Sequence, residues 1–421
     1  MNKRKKSLDI LINVLENGRN LDYELENVLE DRAFITKIVK GTIENKIYID
    51  KHIESVSKIK LSKMKPYIKN AIRLAVYEIF FMNTENAIVC NEIVKLVKKR
   101  YYNLSSFTNA TIRQIIRNGK IELEKDNLEN ISVYYSTPIF IIKEYLKFYT
   151  LNETLEILDS NKEVSRITLF SKNNCIKDAV NMEYNDFLLN NDFDCVKIRE
   201  VDAFVLKKYD FSNKDFYVQN ISSMLFSKMP IFNKQQIVLD ICAAPGGKSI
   251  SIYDKVNKIV ANDINSYRLG LMKENISNLE IKNIEFSNYD ASELIDDFVE
   301  KFDVVIADLP CSALGLLRRK VDIININQDK ILEINKLQKK ILKNIYHYLK
   351  KGGIIIFSTC TITELENEKN VEYLESLGFE KCCIKTDIFD KFSNINIKDN
   401  NIRIKSNFIM DGFFISVLRK K

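Results

Sequence analysis

From residue 236 to the end, short apolar runs alternate with helical patterns, and this alternation constrains the fold more than any other feature. The runs are Ile237–Ile241, Ile259–Asn262, Ile284–Phe286, Val304–Ala307, Ile354–Ser358 and Phe413–Leu418, and a clear helical pattern spans Asp329 to Leu349. Strands alternating with helices build a parallel, doubly wound sheet with right-handed crossovers. Ligands of such sheets sit beyond the carboxyl ends of the strands, where the strand order reverses. The functional residues are expected at those ends.

Upstream, residues 5–120 read as helical. The segment Ile68 to Met82 places Ile72, Val76, Ile79 and Phe80 on one face. Asn91 to Lys99 does the same with Ile93, Val94 and Val97, ringed by Lys95, Lys98, Lys99 and Arg100. Glycine and proline are almost absent here, so an all-α bundle is expected. The polar run 121–130 marks a boundary. Pro138 opens a further helical stretch, Ile141 to Leu158, and Arg166–Phe170 and Ala203–Leu206 look like strands. The 421 residues suit two or three domains. The expected division is an all-α bundle over 1–130, a small α+β connector over 131–230, and an α/β, Rossmann-like domain over 231–421.

Charge separates these parts. Residues 1–130 carry 24 Lys+Arg and 17 Asp+Glu, whereas 131–421 carry 40 of each, so the whole excess of +7 lies in the first third. A basic module points to a polyanionic partner, most simply nucleic acid, although a solvated lysine-rich helical surface has the same composition. No run of 18 apolar residues occurs, so no membrane span is expected. Asp9, Asn13 and Glu16 break the segment after the basic start, which argues against a signal peptide. The eight cysteines form no CxxC pair and there are two histidines. Neither a disulfide scaffold, a metal site nor a histidine-driven triad is expected, and a reducing cytoplasm fits. Nothing in the sequence requires more than a monomer.

The first strand of the α/β part runs into Cys242-Ala243-Ala244-Pro245-Gly246-Gly247-Lys248. Small residues and two glycines let a ligand approach the backbone, and a helix starting near Lys248 would turn its amides toward it. A Walker A loop needs glycine where Cys242 stands, and GxGxxG is absent. The shape that remains is the cofactor loop of an S-adenosylmethionine methyltransferase. Asp263, ending the second strand, suits a ribose, and Asp290, after the third, suits an adenine amino group. One such aspartate is usually a cap; two at successive strand ends behind a glycine loop are more specific. Asp308-Leu309-Pro310-Cys311-Ser312 follows the fourth strand and Thr359-Cys360-Thr361 the fifth. A lone cysteine is usually a small buried apolar residue. Two at adjacent strand ends suit a different chemistry. Carbon 5 of cytosine is a poor nucleophile until a thiolate adds at carbon 6, and a carboxylic acid such as Asp308 at ring nitrogen 3 assists that addition. A second group must then help remove the carbon-5 proton. On this chemistry alone the two thiols are nearly even candidates for the attacker.

Cys242 to Lys248, Asp308 to Ser312 and Thr359-Cys360 resemble the RNA cytosine-5 methyltransferases of the Sun (RsmB) family, as do Asp411-Gly412-Phe413-Phe414 and Gln219 with its neighbours. The N-terminal third resembles a NusB-type RNA-binding domain through Leu74-Ala75-Val76-Tyr77-Glu78, Asn91-Glu92-Ile93-Val94 and Phe107-Thr108-Asn109-Ala110. The resemblance implies that Cys360 is the nucleophile and Cys311 acts in product release, whereas DNA enzymes use the Pro-Cys cysteine. It implies that residues 242–248, Asp263, Asp290 and Asp308 hold S-adenosylmethionine, that Arg268 is a recurrent arginine, and that Leu317-Arg318-Arg319 is a basic segment beside RNA, with a solvated loop as the alternative. The implied substrate is a cytosine in 16S ribosomal RNA; a transfer-RNA cytosine-5 methyltransferase and a non-enzymatic RNA-binding assembly factor are the alternatives. The chain departs from the family at Lys320-Val321-Asp322, where His-Pro-Asp is usual, at Leu169-Phe170-Ser171 in place of Arg-Val-Asn, and at Leu309 in place of alanine.

Overall fold

The computed structural model describes residues 2–163, 167–171, 195–198, 216–384, 389–407 and 410–421. Among them are two compact units: residues 1–154 with 320–326, and residues 155–319 with 327–421.

The first unit is helical. Its elements are α1 (Lys3–Leu15), α2 (Leu21–Glu26), α3 (Arg32–Glu44), α4 (Lys46–Val56), α5 (Pro66–Phe81), α6 (Asn86–Arg100), α7 (Ser105–Asn118), α8 (Leu128–Tyr135) and α9 (Ile139–Leu146). Pro66 starts α5, where its missing N–H costs nothing. The expected face of α5 is buried at Ile72, Val76 and Phe80, but so are Ala71, Leu74 and Ala75, because α5 is the central helix of the unit. On α6, Ile93 and Val97 are buried while Lys95, Lys98, Lys99 and Arg100 are exposed. Buried charge is paired, as in Arg73 to Asp50 (2.7 Å). Val321 and Ile324, from the short segment 320–326, pack against the core of this unit.

The expected helix over 141–158 is two helices, α9 and α10 (Leu151–Lys162). Thr150 restarts the helix: its Oγ1 accepts the Glu153 N–H (3.3 Å), and the Glu153 carboxylate accepts the Thr150 N–H (2.9 Å), a reciprocal cap. The expected strand near 166–170 is β1 (Ile167–Ser171), which lies between β2 (Cys195–Ile198) and β3 (Phe216–Val218) in an antiparallel sheet. Leu169-Phe170-Ser171 lies in β1. The expected strand at Ala203–Leu206 falls outside the described residues.

After α11 (Ile221–Leu225) the second unit is built on one nine-stranded sheet. Its parallel centre is ordered β8-β7-β4-β5-β6, from β4 (Ile237–Asp240), β5 (Lys258–Asn262), β6 (Ile284–Ser287), β7 (Phe302–Asp308) and β8 (Leu349–Thr359). The helices between them are α12 (Gly247–Ile252), α13 (Ser266–Asn278) and α14 (Gln328–Tyr348). After β8 come α15 (Glu368–Ser376) and the antiparallel strands β9 (Phe379–Lys381), β10 (Ile395–Lys398), β11 (Asn401–Ile404) and β12 (Phe413–Lys420), with β12 against β8. All six expected strands are present. Successive residues feed opposite faces: Val238, Val304 and Ile356 belong to one core, and Leu239, Val305 and Phe357 to the other. The strand order reverses between β4 and β7, so the ends of β4, β5, β7 and β8 define the place for a ligand.

Candidate active site

Backbone and side chains both shape the loop that leaves β4. Gly246 has φ +106, and a Cβ there would lie 2.8 Å from Met272 Cγ. The Gly247 carbonyl accepts a hydrogen bond from Gln219 Nε2 (2.9 Å), which fixes the start of α12. Asp263 is buried; its Oδ2 accepts the Ala244 N–H (3.1 Å) and its Oδ1 the Asn265 N–H (2.9 Å). A carboxylate has about four lone-pair sites, so accepting capacity remains for a ligand hydroxyl pair. Arg268 bonds the Ala244 carbonyl and lies 3.7 Å from Asp263, so it braces the loop. Asp290 is exposed, and its Oδ1 caps the following turn by accepting the Ser292 N–H (2.9 Å). Asp240 ends β4 inside the protein. Its Oδ2 accepts from Ser249 (2.7 Å), and its Oδ1 has no hydrogen-bond partner among the described residues. Burial lifts its pKa to about 7. Burial also pushes the Cys242 thiol far above its ordinary value, so Cys242 stays a neutral wall of the loop.

The ends of β7 and β8 converge on the same place. Asp308 is ion-paired with Lys248, and its Oδ1 accepts the Ser358 hydroxyl (3.1 Å). The Lys248 ammonium also lies 4.9 Å from the centre of the Phe413 ring. Lys248 thus links the β4 loop to the β7 end. Beyond it, Cys311 Sγ and Cys360 Sγ stand 3.2 Å apart, both partly accessible. Contact with the Cys360 thiol, and then burial, push the Cys311 thiol well above its ordinary pKa. Two thiols at this distance do not ionise together, because the second charge would face the first at close range.

Behind the thiols lies a buried polar cluster. Glu366 Oε1 accepts the Ser312 N–H (2.8 Å) and the Gln338 amide (3.3 Å), and its Oε2 accepts the Ser312 hydroxyl (2.5 Å) and the Thr363 hydroxyl (2.8 Å). Ser312 Oγ also meets Thr361 Oγ1 at 2.6 Å. Asn367 bonds the Thr361 carbonyl (3.1 Å) and accepts the Thr359 hydroxyl (2.5 Å). Gln338, on α14, donates to the Pro310 carbonyl (2.9 Å).

Residues 231–419 match the model of the 16S rRNA methyltransferase RsmB/F family, and residues 1–117 match that of the NusB family. The chain joins a NusB domain to an RsmB/F methyltransferase domain. It is 27% identical over 447 aligned positions to the "Probable ribosomal RNA small subunit methyltransferase B" of Bacillus subtilis (strain 168), covering 99% of this chain and 98% of that one. It is 26% identical to the ribosomal RNA small subunit methyltransferase B of Shewanella oneidensis, over 88% of this chain and 89% of the relative. Among solved structures, PH0851 superposes with a TM-score of 0.77 at 20% identity over 99% of this chain and 98% of that one. NSun6 from Pyrococcus horikoshii, crystallised with SFG, gives 0.58 at 19% over 67% of this chain and 98% of that one.

Within the RsmB/F domain, the structure brings Asp308, Cys311, Cys360 and Lys248 to one edge of the sheet, with residues 242–247 and Asp263 beside them. Asp290 stands at the exposed rim. Arg318 and Arg319 are not a solvated basic loop: both bond Asp411 (2.9 and 2.5 Å), and Arg318 also donates to the Asn407 carbonyl (2.8 Å). Asn220 donates to the same Asp411 carboxylate (2.6 Å). The departure at Lys320-Val321-Asp322 falls on the segment that packs with the helical unit. Sequence reasoning missed Glu366 and its partners and the Lys248–Asp308 pair. Glu366 sits in the polar run Thr361–Asn370, which has the composition of a solvated turn, and its spacing from Cys360 was its one signal.

Proposed function

We propose that the protein transfers a methyl group from S-adenosylmethionine to carbon 5 of a cytosine in 16S ribosomal RNA, through a thiolate adduct at carbon 6. The observation that carries this reading is the pair of thiols 3.2 Å apart at adjacent strand ends, beside the Lys248–Asp308 ion pair. In the sequence-level division the helical bundle is residues 1–130, the connector 131–230 and the catalytic domain 231–421, the bundle serving to bind RNA.

The residues at the switch point fit the cofactor. Asp263 has accepting capacity beyond its two backbone bonds, and the buried Asp240 has an unused oxygen. Residues 242–248, Asp263, Asp290 and Asp308 would hold it. When bound, S-adenosylmethionine supplies an electrophilic sulfonium methyl.

The roles of the chain's own groups follow from their positions. Cys360 attacks carbon 6 as the thiolate, the role that the resemblance to the RNA cytosine-5 methyltransferases implies for it. The proton that ring nitrogen 3 takes up is held between Asp308 and Lys248. The activated carbon 5 takes the methyl group. Loss of the carbon-5 proton, assisted by Cys311, then expels the Cys360 thiolate, and the proton on ring nitrogen 3 returns to the Asp308–Lys248 pair. The base must leave its stack to expose carbon 6. SFG, the ligand named with the NSun6 neighbour, and the small-subunit methyltransferase names of the relatives support cofactor and substrate class.

Labelled methyl transfer to protein-free 16S RNA, with transfer RNA and 23S RNA in parallel, tests the reading. 5-Methylcytosine confined to 16S RNA is expected, and label in transfer RNA instead would overturn the substrate. On denaturing gels Cys311→Ala accumulates a protein–RNA adduct and Cys360→Ala forms none; the reverse pattern would exchange their roles.

A further inference from the structure

We propose that Glu366 is a positioning residue that sets the distance and orientation of the two thiols. The inference rests on the roles assigned above to Cys311 and Cys360, and it concerns a residue that touches neither sulfur.

Cys311 and Cys360 end different strands, 49 residues apart in the chain. Backbone ties the two loops where the Gly315 N–H meets the Cys360 carbonyl (2.9 Å), beyond the β7–β8 pairing that ends at Asp308 and Ser358. Side chains add a second tie nearer the sulfurs, a set of hydrogen bonds from the residues that immediately follow each cysteine. Ser312, after Cys311, presents both its N–H and its hydroxyl to Glu366. Thr361, after Cys360, meets the Ser312 hydroxyl at 2.6 Å. Thr363 closes the set on Glu366 Oε2, and the Glu366 N–H returns to Thr363 Oγ1 (3.3 Å). Gln338 bonds both Glu366 and the Pro310 carbonyl, so it holds the residue before Cys311 from the opposite side. Each cysteine is therefore tied through its chain neighbours to one carboxylate.

That carboxylate is fully buried, as are Gln338, Asn367 and Asn370. Burying a carboxylate is costly unless donors surround it, and here the Ser312 N–H, the Gln338 amide and the Ser312, Thr361 and Thr363 hydroxyls do. An apolar residue would satisfy packing alone with no such cost. The carboxylate form accepts all of these bonds at once. A glutamine at 366 turns an N–H₂ toward the Ser312 and Thr363 hydroxyls, which must then accept where they now donate, and it replaces charge-assisted bonds by weaker neutral ones without removing volume.

The consequence is geometric. Reacting groups displaced by about 1 Å lose about 10²-fold in rate. Loosening the tie between the loops should lower the rate of chemistry and leave RNA affinity in place, since the cluster lies behind the thiols and faces no solvent.

Two readouts test this. In methyl transfer with the full-length protein, Glu366→Gln is expected to lower kcat about 10²-fold with KM for RNA within about twofold. The second readout does not depend on the reaction. Diamide, a two-electron diazene oxidant, joins two neighbouring thiols as a disulfide while it is reduced to the hydrazine. Cross-linking of Cys311 to Cys360, followed by peptide mass spectrometry, is expected to slow at least about tenfold in Glu366→Gln. The pair Thr361→Ser and Thr361→Val keeps the test open should Glu366→Gln fail to fold: the serine variant retains the hydroxyl and both wild-type rates, and the valine variant loses both. Wild-type cross-linking in Glu366→Gln or in Thr361→Val would overturn the positioning role. The methylation reading stands or falls separately, on whether the wild-type protein labels cytosine at all.

Discussion

A methyl group added to Gly315 would lie 2.2 Å from the Gly412 carbonyl oxygen and 2.9 Å from that of Cys360. Both neighbours are backbone, held by the Gly315 N–H to the Cys360 carbonyl (2.9 Å) and the Gly412 N–H to the Gly315 carbonyl (3.0 Å). Gly315→Ala must therefore shift backbone at this junction, at Gly412 most and at Cys360 with it. The expected cost is about 1–3 kcal/mol in chemical denaturation, with methyl transfer lost more severely than stability. Asp240 yields a pH prediction. Its folded pKa, about 7, is raised from 3.8, chiefly by burial. Between those values the folded chain keeps a proton that the unfolded chain has released. Stability is therefore highest below the window and falls as pH rises through it, by at most about 1.4 kcal/mol per pH unit. Denaturation of the ligand-free protein across that window should show the decline, and Asp240→Asn should flatten it. Individual residues differ in how far the sequence reveals them. That Asp308, Cys311 and Cys360 gather at one edge of the sheet was legible, because a strand-end rule predicts where ligands bind. Glu366 was not, because an acidic residue in a polar run reads as solvated until tertiary contacts bury it.

Elements obey the same division. The strands of the parallel centre were legible as apolar runs, since both sides of a parallel sheet carry helices. The hairpin β10–β11 escaped. Its strands are four residues long with alternating polar positions, and its two-residue turn is Asp399-Asn400, both at positive φ. The turn is of the type that suits tight hairpins, and Ile395-Asn396-Ile397 and Ile402-Arg403-Ile404 on either side were its signal. Thr150 split a helix for an equally local reason, a cap that competes with helical continuity. At this scale the tie between the turn after β7 and the start of β12 is Asp411, which receives Arg318, Arg319 and Asn220. Asp411→Ala leaves two guanidinium groups facing an uncharged site, one of them almost fully buried. The expected loss is about 3–5 kcal/mol, read as a lower midpoint in urea. Asp411→Asn should lose less.

Over the whole molecule, the charge asymmetry has a surface to act from. Lys95, Lys98, Lys99 and Arg100 are exposed on α6, with Lys98 near the Tyr102 ring (5.2 Å) and Arg100 near that of Tyr67 (4.9 Å). If RNA phosphates meet this end of the helix, replacing the four by glutamine weakens RNA binding and reduces the slope of log affinity against log salt by about 0.7–0.9 per lost contact. Filter binding over a salt series measures this, and an unchanged slope would place the RNA elsewhere. Among the described residues no helix is long and apolar enough to cross a membrane. The order of synthesis adds a last consequence. The helical unit takes residues 320–326 against its core, yet these leave the ribosome some 165 residues after its main segment ends at Thr154. At 5–20 residues per second, that is a delay of roughly 8–30 s. Through that interval the surface that will receive Val321 and Ile324 is bare, so the helical unit is finished only after much of the second unit has been made.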